Sequence, residues 1–281
     1  MKRSMKKILT FALLAVVAIA ATVYFFVIPF VLSLQYTGRV HAAAQPLESN
    51  FKDIGESVDL LRELGPETPD DKKKKDIEYI MKLIQTGQQE IMKLEAAGNT
   101  FAPPPYSELS GQYEKVTALK EHTKRLVDQS REVLADYQKL ATYLDTFGAA
   151  ITDVSTELSD FNSTIDINVY ANRSAYVGQV ARKLRENASL LSALSPPNDM
   201  KEVNAGAIRV INEAANGFDD LAYGLLIPAD DPIYAAARRI EAATVELDAI
   251  KGTMYDHSLE QSRVIKNVLD LDEKLDLVLG S

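Results

Sequence analysis

Residues 116–165 read VTALKEHTKRLVDQSREVLADYQKLATYLDTFGAAITDVSTELSDFNSTI, and this stretch decides the fold. Its seam is Val116, Leu119, Thr123, Leu126, Ser130, Val133, Tyr137, Leu140, Leu144, Phe147, Ile151, Val154, Leu158, Phe161 and Ile165. The steps alternate between three and four, the period that keeps one stripe of an α-helix turned toward a partner helix. Only Thr123 and Ser130 dilute the apolar line. At about 1.5 Å per residue an unbroken helix of this length is about 75 Å long. That is too long for a compact globule, so the neighbouring helices must run alongside it.

A second seam closes the chain: Ile233, Ala236, Ile240, Ala243, Leu247, Ile250, Met254, His257, Gln261, Val264, Val268, Leu271, Leu275 and Val278. It predicts one long last helix that starts at Asp231-Pro232 and matches the central one. Between the two seams, Val169 to Leu194 marks a helix ended by Ser195-Pro196-Pro197, and Val203 to Leu221 marks another. Upstream, Leu47, Phe51, Ile54, Val58 and Leu61 form a stripe ended by Gly65-Pro66. Thr68-Pro69-Asp70-Asp71 then reads as a helix start, with Thr68 as the cap, and leads into Ile77, Ile80, Ile84, Ile91 and Leu94. Phe101-Ala-Pro-Pro-Pro-Tyr106 is a stiff turn before the central helix. The pattern predicts an all-α protein, an elongated antiparallel bundle of about six helices with long coiled-coil-like members. Gly148 is where the central helix would break, and Pro46 is where the first would.

Composition narrows the chemistry. The chain of 281 residues has no Cys and no Trp, which excludes disulfides, thiolate metal sites and cysteine nucleophiles. The net charge is −9, and Lys2, Arg3, Lys6 and Lys7 precede every one of the 40 acidic residues. An acidic body repels nucleic-acid phosphates and anionic lipid, so no nucleic-acid partner is expected.

Residues 8–34, ILTFALLAVVAIAATVYFFVIPFVLSL, carry no charge. A bilayer core takes roughly 20 apolar residues as helix. A cleaved signal peptide, with Ala42-Ala43-Ala44 as its cleavage site, has a shorter apolar core of about 7–15 residues. An uncleaved transmembrane anchor is therefore expected, with the basic residues holding the N-terminus in the cytoplasm. The organisation that follows has a cytoplasmic tail over 1–7, an anchor over 8–34, a linker or helix continuation over 35–46, and an extracytoplasmic helical body over 47–281. Two sub-bundles sharing the helix 106–165 are one form that body can take. A single anchor and an outer helical bundle resemble the general plan of bacterial surface sensors. Those receptors return through the membrane to a signalling module, and no second span is read here.

Motifs for catalysis are not found. The chain has three histidines, no Glu-x-x-His, no His-Glu-x-x-His, no Gly-x-Ser-x-Gly and no Walker loop. No enzyme activity, cofactor or metal is expected. Three features remain as candidate sites. Lys72, Lys73, Lys74 and Lys75 form a basic run that suits an anionic envelope polymer or a partner protein better than lipid, because the preceding helix carries them about 45 Å outward. Leu225, Leu226 and Ile227, before Pro228, make an apolar turn that suits a partner contact. His257 and Gln261 form a polar layer in the last seam, which suits a register-setting pair or a pH sensor. The expected function is a membrane-anchored helical protein with a structural or partner-binding role at the cell surface, self-association included. The alternative is an ectodomain that senses a small molecule or pH, near His257 or the Tyr137 layer.

Overall fold

A computed structural model describes residues 13–63, 68, 70–100, 112–164, 170–227, 230–254 and 262–279. These are helical almost throughout, with no strand among them. Among the described residues there are seven α-helices: α1 (Leu13–Glu63), α2 (Asp70–Asn99), α3 (Gln112–Thr164), α4 (Tyr170–Ala193), α5 (Lys201–Gly224), α6 (Asp230–Gly252) and α7 (Arg263–Leu279). The chain divides into two compact units. The first is Met1–Lys52, Gln85–Leu134 and Leu271–Ser281, and the second is Asp53–Ile84 and Ala135–Asp270.

α1 is one helix where the sequence allowed a break. Pro46 lies inside it, with Ala42, whose carbonyl Pro46 leaves without its usual donor, on the exposed face. Water can take the freed carbonyl, so the helix survives. Pro29 is accommodated differently. The turn just before it, Val23–Val27, widens into a π-helix, and the Ile28 N–H donates to the Val23 carbonyl. Such adjustments re-pair the backbone around a proline in an apolar helix. Thr22 and Ser33 likewise turn their hydroxyls onto the Ala18 and Phe30 carbonyls.

Along α1 the surroundings change. Leu13, Leu14, Val16, Val17 and Ile19 are all exposed, whereas Tyr36, Val40, Ala44, Leu47, Phe51, Ile54, Val58 and Leu61 are buried. Among the described residues one helix is long and apolar enough to cross a membrane, and it is this one.

In the first unit, α1, α2 and α3 lie side by side. The Tyr36 hydroxyl donates to the Gly98 carbonyl at 3.2 Å, and Gly98 faces the Thr123 side chain. A Cβ on Gly87 would stand 2.5 Å from Asn50 Oδ1 and 2.8 Å from Leu134 Cδ1. Glycine is what lets three helices meet there. α2 thus runs opposite to both α1 and α3. Glu95 and Arg131 pair across the outer face.

In the second unit, α3 is unbroken at Gly148 and is described as far as Thr164, so a stop before Asp166 lies outside the described residues. Its buried face widens to pairs, Leu140 with Ala141, Tyr143 with Leu144, and Ala150 with Ile151, more than a two-helix seam needs. Val133 is half-buried, and Leu134 takes the core place. α5 packs against α4 and α6. Arg185 reaches Asn216 and Asp219, Ser174 reaches the Ala222 carbonyl, and Asn204 reaches the Leu191 carbonyl, so α4 and α5 are antiparallel. α6 returns along α5, with Arg209 on Glu246, Gly217 on Ile240 and Gly224 on Ile233.

Two local expectations change. The single long last helix is two helices, α6 and α7, because α7 starts anew: the Arg263 N–H donates to Asp199 Oδ2 at 2.8 Å, which satisfies a fresh N-terminus. Thr68 serves the preceding helix. Its hydroxyl bonds the Glu63 carbonyl at the end of α1.

Candidate functional site

The corner between α5 and α6 carries Tyr223, Leu226, Ile227 and Tyr234, four exposed apolar side chains close together, whereas Tyr79, Leu190, Val245 and Leu269 are exposed elsewhere in the second unit. α5 ends on Gly224, where a Cβ would stand 3.1 Å from Ile233 Cγ1 and 3.7 Å from Pro232 Cβ. A side chain there would press on the Ile233 side chain. The turn amides are then used up on the last carbonyls of α5: Leu225 N–H on Leu221, and Leu226 and Ile227 N–H on Tyr223, at 2.9, 3.0 and 3.3 Å. A backbone so held presents its side chains in a fixed direction. Leu226 is 64% exposed and Ile227 44% exposed, while Leu225 is half-buried.

Two tyrosines flank the turn. Tyr223, on the last turn of α5, and Tyr234, on the first of α6, are each about as exposed as Leu226. Tyr176 is also exposed, but it lies two residues on from Ser174, whose hydroxyl is bonded to the Ala222 carbonyl at 2.9 Å, and at about 100° per residue it turns away from α5. Asp219 and Asp220, one turn down, are taken by Arg185 and Arg239, so the ring below the corner is neutralised. The corner offers aromatic and branched aliphatic surface with hydroxyl tips. Such surface suits contact with another macromolecule rather than bond-making chemistry.

The turn itself is legible in the sequence, but the three tyrosines are not. Each sits one or two positions off the apolar stripe of its helix (Tyr223 after Leu221, Tyr234 after Ile233, Tyr176 before Val177). An aromatic just off the stripe, close to a helix end, is the signal that could have found them.

The lysine run lies on the first turns of α2. Lys72 is tied to Glu63 at 2.9 Å, and this carboxylate raises its pKa by hydrogen bond and charge. Lys73 is half-buried, and Lys74 and Lys75 are exposed. His257 and Gln261 lie outside the described residues. The Tyr137 layer is a filled one: Tyr137 is fully buried, and its hydroxyl is 2.9 Å from Ser57 Oγ. Ser57 spends its own proton on the Ile54 carbonyl at 2.7 Å, so Tyr137 is the donor. Among the described residues no group of three His, Cys, Asp or Glu is placed to hold a metal.

Comparison with family models, with curated proteins and with solved structures gives no match.

Proposed function

We propose that the chain is a single-pass membrane protein without catalytic activity. In this reading its helical body, a bundle on the outer side of the membrane, binds a protein partner through the α5–α6 corner. The observation that carries the anchor is the bond from Tyr36 to the Gly98 carbonyl. Removal of a signal peptide at Ala42-Ala43-Ala44 would discard Tyr36 and Val40, both core residues of the first unit. A segment that the body needs for its own packing is retained, and the apolar stretch before it is retained with it. The basic residues ahead of residue 8 favour a cytoplasmic N-terminus.

Partner binding is supported by the corner itself. A fixed turn with Tyr223, Leu226, Ile227 and Tyr234 outward is the kind of rigid aromatic and aliphatic anchor on which interfaces concentrate their affinity. Photo-crosslinking from position 226 of the full chain in its native membrane tests this. A discrete protein adduct, missing when the crosslinker is moved to the exposed position Asp145, is the expected result. Equal, diffuse labelling at both positions would contradict it.

A further inference from the structure

The first unit carries information about where the bilayer stops. Burial on α1 does not begin where the uncharged run ends, at Leu34. It begins at Pro29 and continues at Ser33, Tyr36 and Val40, in helical steps, so protein already covers one side of the helix at Pro29. α3 supplies a second, independent measure. Tyr36, Gly98 and Thr123 are level with one another, and so are Asn50, Gly87 and Leu134. Lys115 lies eight residues before Thr123 and nineteen before Leu134 on the same helix. Equal counts back along α1, from Tyr36 and from Asn50, land on Ile28 and Val31. With a rise of about 1.5 Å per residue, the two estimates differ by about 5 Å.

The exposed charges Glu114 and Lys115 therefore stand level with Ile28–Val31, and hydrocarbon cannot reach them. The uncharged run from Ile8 to Ile28 has 21 residues, and a helix of that length is about 30 Å long, which by itself fills a bilayer core. Beyond the core lie roughly 5–7 Å of headgroups. Into that depth fall Phe30 and Val31 on α1 and the first turns of α3. At that depth α3 carries Lys115 and Lys120 beside Glu114 and Glu121, and Lys124 and Arg125 follow about a turn farther out. All six are exposed.

The geometry points to a second membrane contact: the N-terminal turns of α3 rest on the phospholipid headgroups of the leaflet from which α1 emerges, with Lys115 and Lys120 on phosphate and the hydrocarbon boundary at Ile28–Pro29. This rests on the anchor reading above and adds to it a surface that the apolar segment alone does not contain. Lysine suits the position, since its long apolar stem lies along the boundary while its ammonium reaches phosphate. The contact fixes how the first unit stands on the bilayer, because a helix beside the anchor touches the same surface.

The absence of natural cysteines makes the test clean. Full-length protein carrying Ile19→Cys, Lys115→Cys, Lys120→Cys or Asp128→Cys is labelled with a fluorophore in vesicles of phosphatidylcholine and phosphatidylglycerol. Quenching is read from nitroxide lipids labelled at the headgroup or deep in the acyl chain, and from an aqueous quencher. The expected result is headgroup quenching at 115 and 120 several-fold above that at 128, and deep quenching at 19 alone. If 19 is quenched deep while 115 and 120 behave like 128, the headgroup contact is wrong and the anchor stands. Deep quenching at 115 would also overturn the contact, since the boundary would lie farther out. If 19 is reached only by the aqueous quencher, anchor and contact fall together.

Discussion

Asp199, in the single turn between α4 and α5, accepts the backbone N–H of Arg263, 64 residues later, at 2.8 Å. A carboxylate at a helix N-terminus satisfies an orphan donor and lies at the positive end of the helix dipole. Met200 next to it is fully buried, so the turn that carries Asp199 is itself pinned. Asp199→Ala should destabilise the protein by about 1 kcal/mol, within the 0.5–2 kcal/mol typical of a lost cap. Denaturant unfolding in detergent measures this, and amide exchange should accelerate first in α7. An unchanged midpoint would remove the cap from the account.

The face of α5 toward α6 separates two glycines. A Cβ on Gly206 would stand 3.5 Å from Ile250 Cδ1, an ordinary contact. On Gly217 it would stand 2.9 Å from Ile240 Cγ1 and 3.5 Å from the Ala236 carbonyl. Gly206→Ala should therefore stabilise by about 0.5–1 kcal/mol through helix propensity. Gly217→Ala should destabilise by about 1–3 kcal/mol, because Ile240 must leave its place. The two thermal midpoints should move in opposite directions.

Tyr137 predicts the alkaline limit. Burial pushes its phenol up to about 12 from 10.0, and Ser57, which can turn its proton from the Ile54 carbonyl to a phenolate, only partly opposes that shift. A group whose pKa is raised on folding gives stability that is whole below its unfolded value and is lost as pH rises through the folded one. The loss should start near pH 10 and be complete near pH 12, amounting to about 2–3 kcal/mol at about 1.4 kcal/mol per pKa unit. Tyr137→Phe should cost about 1 kcal/mol at pH 7 for the lost hydrogen bond and should flatten this slope. Urea midpoints from pH 8 to about 12 measure both.

The corner residues are predicted to matter for contact and not for folding. Leu226→Asp with Ile227→Asp should change stability by no more than about 0.5 kcal/mol, since both side chains face solvent. The same pair should abolish the adduct obtained from a crosslinker at Tyr223. Retention of the adduct would place the contact elsewhere.

The helices were legible because periodicity states which side of a helix is apolar. That is why Tyr137, Leu140, Leu144, Phe147, Ile151, Val154 and Leu158 are all buried as the seam requires. Periodicity says much less about continuity. The last seam runs on past Gly252 although α6 ends there, and what starts α7 is an aspartate far away in sequence. Pro46 misleads for a related reason: the carbonyl it leaves without a donor is that of Ala42, on the exposed face, where solvent offsets part of the cost of a proline inside a helix. Of the candidate site, Leu225–Ile227 could be read as an apolar turn. Tyr223 and Tyr234 give only the weaker signal of an aromatic just off the apolar stripe, because exposure depends on where the partner helix lies.

The central claim is that α1 holds the protein in a membrane with its apolar segment intact. Extraction of native membranes with alkaline carbonate, followed by intact-mass and N-terminal analysis of the pelleted chain, tests it most directly. The account predicts a chain that stays with the bilayer and still carries residues 8–34. A chain released into the supernatant, or one that begins near Gln45, would contradict it.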